Sequence, residues 1–231
     1  MMNSIFKVIG VPLQENQALS LENKQTLEQC DVIVGESRKS THRLLSKIQL
    51  KKEAQLFLMD NVSKSVLKDL EIALQQTKKQ NGNACLFSDT GMPILFDPGR
   101  EVLGIARRLG FSIRCEPGPT SWGTACALSG WTPPFLIAGF PPAKTGERQE
   151  TLKSWTHLPY HLVLMDTPYR FQALIKDCHE LFGTKRQVFL AWEIGCSGEI
   201  YFWGTFPELT RMTQQKNLVK GEFILIIEKG V

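Results

Sequence analysis

Residues 86–99 read LFSDTGMPILFDPG: an apolar strand end, then Ser88-Asp89-Thr90-Gly91, a short apolar stretch, and Asp97-Pro98-Gly99. In α/β proteins, ligands bind in loops at the carboxyl ends of strands. Glycine and proline here fix a backbone path that exposes amide and carbonyl groups, and the Asp89 carboxylate can accept a hydrogen bond from a hydroxyl or an amine. The same residue types suit an ordinary βα turn, and composition leaves both readings open. The loop is not a Walker loop, since no GK[ST] follows, nor a dinucleotide fingerprint, since GxGxxG is missing. A second feature is the run of Arg38, Lys39, Arg43, Lys47, Lys51 and Lys52 without an intervening acid. It makes a local positive surface, either a solvated helix face or a contact for RNA or phosphate. The six cysteines, Cys30, Cys85, Cys115, Cys126, Cys178 and Cys196, contain no CxxC pair, so they read as reduced, mostly core residues and not as a disulfide frame or zinc site. His157 and His161 have the four-residue spacing of helical ligands, but Pro159 between them breaks a helix. No metal site is expected.

These residues need elements to hold them. A chain of 231 residues, 42% hydrophobic and 22% charged, has the composition of a globular protein with one large or two small domains. Its 27 basic and 23 acidic residues give +4, too mild to demand a polyanionic partner. No apolar run reaches the roughly 18 residues of a spanning helix, and MMNSIFKVIG lacks the shape of a signal peptide, so a soluble cytoplasmic protein is expected. Val32 to Val34 reads as a strand, followed by a basic helix from about Arg38 to Ile48. From Asn61 to Gln80, Val66, Leu70 and Leu74 recur at helical spacing, and Asn81-Gly82 supplies a stop. A strand, Ala84 to Phe87, follows. Asp97-Pro98-Gly99 opens a helix with Val102, Ile105, Ala106 and Leu109 on one face, which ends at Gly110 before the strand Phe111 to Cys115. This β-α-β unit implies parallel strands and a right-handed crossover.

Glu116-Pro117-Gly118-Pro119 cannot continue either regular element, which places a domain boundary between 1–116 and 117–231. Beyond it the pattern predicts a helix from about Thr120, a strand near Phe135 to Ala138, and a Pro-rich loop carrying Lys144 and Arg148. The strand His161 to Met165 then runs into Thr167-Pro168, a capping pair, and a helix lined by Phe171, Leu174, Ile175, Cys178 and Leu181. Val188 to Trp192, Ile200 to Trp203 and Phe223 to Ile227 suggest a second, mixed sheet. The expected class is α/β with two α/β domains.

Six segments, in order, resemble one family. SDTGMPILFDPG is similar to the SDAGTPxxSDPG signature of the RsmI family of ribosomal RNA cytidine 2′-O-ribose methyltransferases, within the tetrapyrrole methylase superfamily. VIVGESRKSTHRLL (32–45) resembles LIAAEDTRxTxxLL, PGPTS (117–121) resembles PGPSA, and GFPPAK (139–144) resembles GFLPxK. MDTPYR (165–170) resembles YESPHR, and KGEFILIIE (220–228) a terminal GE-plus-apolar strand. The resemblance implies a two-domain methyltransferase, usually a homodimer, that binds S-adenosylmethionine in a cleft between domains. Carried over residue by residue, it puts Pro12, Ser88, Asp89, Ile94, Thr120, Ser121, Met165 and Gly195 at the cofactor.

The sequence also departs from these relatives. The family's TPIGNL is Val11-Pro12-Leu13-Gln14-Glu15-Asn16 here, so Gln14 replaces a glycine that permits close approach to the backbone. RELTK corresponds to Trp192-Glu193-Ile194-Gly195-Cys196, which loses two cations. PLQE and DTPYR are similar to a shorter paralogous branch with TPLGE and ETPYR. Methyl transfer is an in-line displacement in which alignment does most of the work, while a ribose hydroxyl gains from a base or cation as its proton leaves. Glu36, Lys144 and Glu193 are the catalytic candidates, and Arg38, Arg43, Arg148 and Arg170 the candidates for binding small-subunit ribosomal RNA. A small-molecule methylase of tetrapyrrole type and a non-catalytic binding protein that keeps the fold are the alternatives.

Overall fold

A computed structural model describes residues 4–14, 17–48, 50, 53–60 and 63–230. Glu15 and Asn16 of the first loop, Lys51 and Lys52 of the basic run, and Asn61, the expected helix start, lie outside the described residues. Two compact units divide the chain, Met1–Thr120 and Ser121–Val231. The Pro-Gly-Pro segment stays with the first unit because Gly118 lies against Gly10 backbone to backbone, leaving no room for a Cβ on either.

The first unit carries strands β1 (Ile5–Ile9), β2 (Val32–Gly35), β3 (Gln55–Leu58), β4 (Ala84–Phe87) and β5 (Ser112–Glu116), and helices α1 (Leu21–Gln29), α2 (Arg38–Ser46), α3 (Lys64–Lys79) and α4 (Arg100–Arg108). The strands form one sheet in the order β3-β2-β4-β1-β5, and every pairing in it is parallel. Alternate side chains point to opposite faces. Phe6, Val8, Val34 and Leu86 pack with Leu70 and Leu74 of α3 and with Val102 and Ile105 of α4. Ile9, Ile33, Cys85 and Phe87 pack with Leu27 of α1 and Leu44 of α2. The consequence is topological. From β1 and β2 the chain leaves toward the α1/α2 face, whereas from β4, which lies between them, it leaves toward the α3/α4 face. Such a reversal opens a crevice at the carboxyl ends of the strands.

The second unit carries β6 (Phe135–Gly139), β7 (His161–Met165), β8 (Gln187–Trp192), β9 (Ile200–Thr205) and β10 (Phe223–Ile227), with helices α5 (Ser121–Ser129), α6 (Thr145–Trp155), α7 (Phe171–Phe182) and α8 (Phe206–Gln215). Its sheet, ordered β6-β7-β10-β8-β9, is mixed: β6 and β7 are parallel, and β10 runs antiparallel to both β7 and β8. Ala125 of α5 covers one face with Val163, Met165, Phe189 and Ile224. Leu152, Leu174 and Leu209 of α6, α7 and α8 cover the other.

Four elements are invisible to the periodicity. In β1, Lys7 interrupts the apolar run, and its ammonium is neutralised at the sheet by Glu116 (2.8 Å) and donates to Thr26 Oγ1 (2.7 Å). α1 buries Asn23 and Thr26 beside Leu27, so its inner face is half polar. β3 is a short edge strand. α6 replaces the loop expected around Arg148, and this corrects that residue's placement. Arg148 is buried, its Nε donating to Asp177 Oδ2 at 2.6 Å and its Nη1 to the Ala143 carbonyl at 2.9 Å. Gln149 Nε2 donates to the other Asp177 oxygen at 2.9 Å. The guanidinium thus joins α6 to α7 and is occupied there, which removes Arg148 from the surface that would meet RNA.

Arg148→Ala would leave the Asp177 charge buried and unpaired, a loss of about 3–5 kcal/mol. Replacing both partners, Arg148→Met with Asp177→Leu, should restore most of it. Urea denaturation of the three proteins checks both expectations.

Candidate functional site

Two neighbouring strands of the first unit end in acidic loops that hold each other. The Asp89 backbone N–H donates to Glu36 Oε2 at 2.9 Å, and the Ser37 N–H donates to Asp89 Oδ1 at 3.1 Å. Each carboxylate therefore satisfies a backbone donor of the opposite loop. Ser37 also caps α2, its side chain accepting from Ser40 N. The loop after β1 joins the same group. Val11 N–H donates to the Gly91 carbonyl at 2.8 Å, and Gly10 N–H donates to the Glu116 carbonyl at 2.8 Å. Pro12, Ser88, Asp89 and the Pro117–Thr120 segment are thus gathered at the carboxyl edge of one parallel sheet.

The 88–99 loop is strained. Ile94 and Phe96 adopt φ of 81° and 69°, in the left-handed region that a β-branched or bulky residue seldom enters. Such outliers persist where surrounding structure over-determines them and cluster at ligand sites. Ser88 is buried and donates its hydroxyl to the Thr90 carbonyl at 2.9 Å. Asp97, which the sequence offers only as a helix opener, joins Glu36 and Asp89 electrostatically. Burial, then the charge of Glu36, pushes its carboxyl up to about 6, with the nearby Ser88 hydroxyl dipole opposing. Burial also raises Glu36, with the charges of Asp89 and Asp60 adding to it and the Asp89 N–H opposing. The signal available in the sequence is spacing: Asp97 closes the same loop that Ser88 and Asp89 open.

The second unit positions the remaining candidates. Met165, at the end of β7, is buried, and Asp166 follows it. Asp166 Oδ1 accepts from Arg170 Nε at 2.6 Å and from Thr167 N–H at 2.7 Å, while its buried Oδ2 has no partner among the described residues. Arg170 is therefore held by Asp166. Glu193 takes φ 51° after β8, and its Oε1 accepts from Glu222 N–H at 2.7 Å. Burial, and then the Glu193 charge, raises the Glu222 carboxyl. Gly195 takes φ 79°, and its N–H donates to Glu199 Oε2 at 2.7 Å. Lys144 stands just before α6, without a side-chain capping bond, and pairs with Glu147 at 3.0 Å on the surface. Ser121 begins α5 and Thr120 precedes it. Arg38 is exposed at the start of α2, and Arg43 lies one turn further on. His161 stacks on Trp131, its ring centroid 4.9 Å away, and its Nδ1 accepts from Lys229 N–H. Trp192 packs inside against Phe171.

The donor set fits S-adenosylmethionine in one testable respect. Its ammonium and amino groups are hydrogen-bond donors, and the Asp166 Oδ2 beside Met165 is a buried acceptor without a partner among the described residues.

Asp97 has a sign that can be checked. A carboxyl raised to about 6 from 3.8 on folding contributes stability that is present below 3.8 and is lost as pH rises through 6. Asp97→Asn removes that loss. The variant should therefore gain on the parent between pH 4 and 6 and hold its advantage above, by about 1 kcal/mol, or 2–4 °C in Tm, once its half-exposed setting is discounted. Thermal melting of both proteins across that range measures it.

Comparison with known proteins supplies the family. The chain is 29% identical over 226 residues to a protein of Leptospira borgpetersenii named ribosomal RNA small subunit methyltransferase I, covering 96% of this chain and 87% of that protein. It is 28% identical over 221 residues to a protein of the same name from Thermotoga maritima, covering 95% and 96%. Among solved structures, the methyltransferase CobJ superposes with a TM-score of 0.65 at 14% identity, covering 98% of this chain and 94% of that one. Uroporphyrin-III-C-methyltransferase from Thermus thermophilus gives 0.58 at 19%, covering 99% and 93%. These likenesses agree with the pair of α/β units described above. Residues 6–210 match the tetrapyrrole (corrin/porphyrin) methylases, and the chain belongs to that family.

Proposed function

We propose that the protein is an S-adenosylmethionine-dependent methyltransferase acting on small-subunit ribosomal RNA at a ribose 2′-hydroxyl. The observation that carries the reading is the gathering of the β1, β2 and β4 end loops at a chain-direction reversal, in a family member whose similar relatives are named for ribosomal RNA methylation. Pro12, Ser88, Asp89, Ile94, Thr120, Ser121, Met165 and Gly195 are the residues we assign to the cofactor, with Asp166 added. When bound, S-adenosylmethionine supplies an electrophilic methyl group on a sulfonium.

The chain's own part is positioning and proton handling. A base works best when its pKa lies near the operating pH. Asp97, at about 6, is the carboxyl nearest that condition, and Glu36, whose charge acts on it, belongs to the same cluster, so we assign the hydroxyl proton to this pair. Glu193 and Lys144 are the acid and cation that the second unit offers. Arg38, Arg43 and Arg170 are assigned to RNA phosphates; Arg148, buried against Asp177, is not. Homodimer assembly and a cytoplasmic location follow from the same resemblance and stand or fall with it. Among the described residues, no helix is long and apolar enough to cross a membrane.

The second reading, a methylase of a small tetrapyrrole-like substrate, is favoured by the fold of CobJ and its neighbours. Incubating the protein with methyl-labelled cofactor and small-subunit RNA from a strain lacking it separates the two. The expected result is label in RNA at an alkali-resistant linkage, reduced by Asp97→Asn by about 10²–10⁴-fold. RNA without label, together with label in a tetrapyrrole, would reverse the assignment.

A further inference from the structure

Tyr169 is 79% exposed, more than any other large hydrophobic or aromatic residue among the described ones, yet its ring is held. Its hydroxyl accepts from Lys220 Nζ at 2.8 Å, and the same ammonium lies 4.1 Å from the ring centroid. Tyr169 belongs to the turn Pro168–Arg170 after β7, and Lys220 to the segment before β10. These strands are antiparallel neighbours, with Met165 paired to Ile224, so the end of one and the start of the other share a sheet edge. Gln172 Nε2 joins the two segments a second time, donating to the Leu218 carbonyl at 2.6 Å. Glu193 Oε1, at the end of β8, accepts from the Glu222 N–H and brings the loop of Gly195 to that edge. The ring therefore stands on the edge of the second unit that carries Met165 and Gly195, both assigned above to the cofactor.

An exposed side chain loses rotamer freedom when a ligand orders it, and a ring held beforehand loses less. Lys220 supplies that hold from one side of the ring, through a hydroxyl and a π face that leave its charge unneutralised. What suits a fixed ring presented to water is another π face. Arg170 and Lys220 share this edge with the acids Asp166, Glu193 and Glu222, so attraction for phosphate does not by itself account for the ring. The adenine of S-adenosylmethionine is planar too, but a small ligand is enclosed over most of its surface, and a ring this exposed encloses nothing. A base in a polymer can rest on an open platform, because contacts to its neighbours hold it there. We propose that Tyr169, braced by Lys220, is a stacking platform for a nucleobase of the acceptor RNA. The inference rests on the RNA reading and deepens it, adding a contact to a base to the contacts with phosphates.

Filter binding of the full-length protein to deproteinised small-subunit ribosomal RNA, at salt from about 50 to 200 mM, tests this. Tyr169→Ala should weaken binding about tenfold at every salt, with the log–log salt slope kept because the ring carries no charge. Tyr169→Phe keeps the ring and should bind within about threefold of the parent. Tyr169→Leu keeps apolar bulk without a π face and should bind as weakly as the alanine variant. Titration with S-adenosylhomocysteine should be the same for all four proteins. Unchanged RNA affinity in Tyr169→Ala, or recovery by leucine, overturns the platform and leaves the RNA reading intact. A loss of S-adenosylhomocysteine binding equal to the loss of RNA binding overturns it as well and gives the ring to the cofactor. A parent protein that binds no RNA overturns both the platform and the RNA reading.

Discussion

The exchange of hydrogen bonds between Glu36 and Asp89 is the constraint on which the rest of the site depends. Two adjacent parallel strands end in acids, and two like charges so close would repel if both were merely solvated. Each carboxylate instead accepts a backbone N–H from the other loop, an ion–dipole contact stronger than a neutral hydrogen bond. The loops are fixed relative to each other, α2 receives its Ser37 cap in register, and the 88–99 loop is held tightly enough to keep Ile94 and Phe96 at positive φ. The electrostatic cost falls on the third acid, Asp97, which burial and the Glu36 charge raise to about 6. Acid–base character at this loop is therefore a product of how the sheet edge is tied, not of any one residue.

The second unit uses buried charge differently. Arg148 and Asp177 satisfy each other and their surrounding donors between two helices, so that pair specifies packing. Among the described residues, Asp166 finds partners for one oxygen and none for the other. A buried carboxylate oxygen without a partner costs roughly 1–3 kcal/mol or more, and a site that retains it beside a strand end has an acceptor to offer a ligand. The contrast separates a structural acid from one available for binding.

Much of this is legible in the sequence. The loop from Ser88 to Gly99 announces itself through turn residues and a carboxylate, and strands β2, β4, β7, β8 and β10 through short apolar runs. What escapes has a common cause: polar residues buried with partners the sequence does not display. Lys7 hides β1 because its neutralising partner, Glu116, lies 109 residues away. Arg148 suggests a solvated loop because Asp177 is 29 residues away. Asp97 reads as a helix opener, since the charge that raises it most, Glu36, comes from another strand-end loop. Gln14 looks like a lost glycine, and its buried Nε2, without a partner among the described residues, is not readable from the sequence.

If the gathered strand-end loops hold the methyl donor as proposed, they do so despite the altered first loop. Calorimetric titration of the full-length protein with S-adenosylmethionine and with S-adenosylhomocysteine tests it most directly. Saturable binding of both near the micromolar range, about −8 kcal/mol, is the expected result, weakened about tenfold by Asp89→Ala in a protein that still melts cooperatively. No heat and no thermal stabilisation with either ligand would contradict it and would leave a chain that keeps the family's fold without its chemistry.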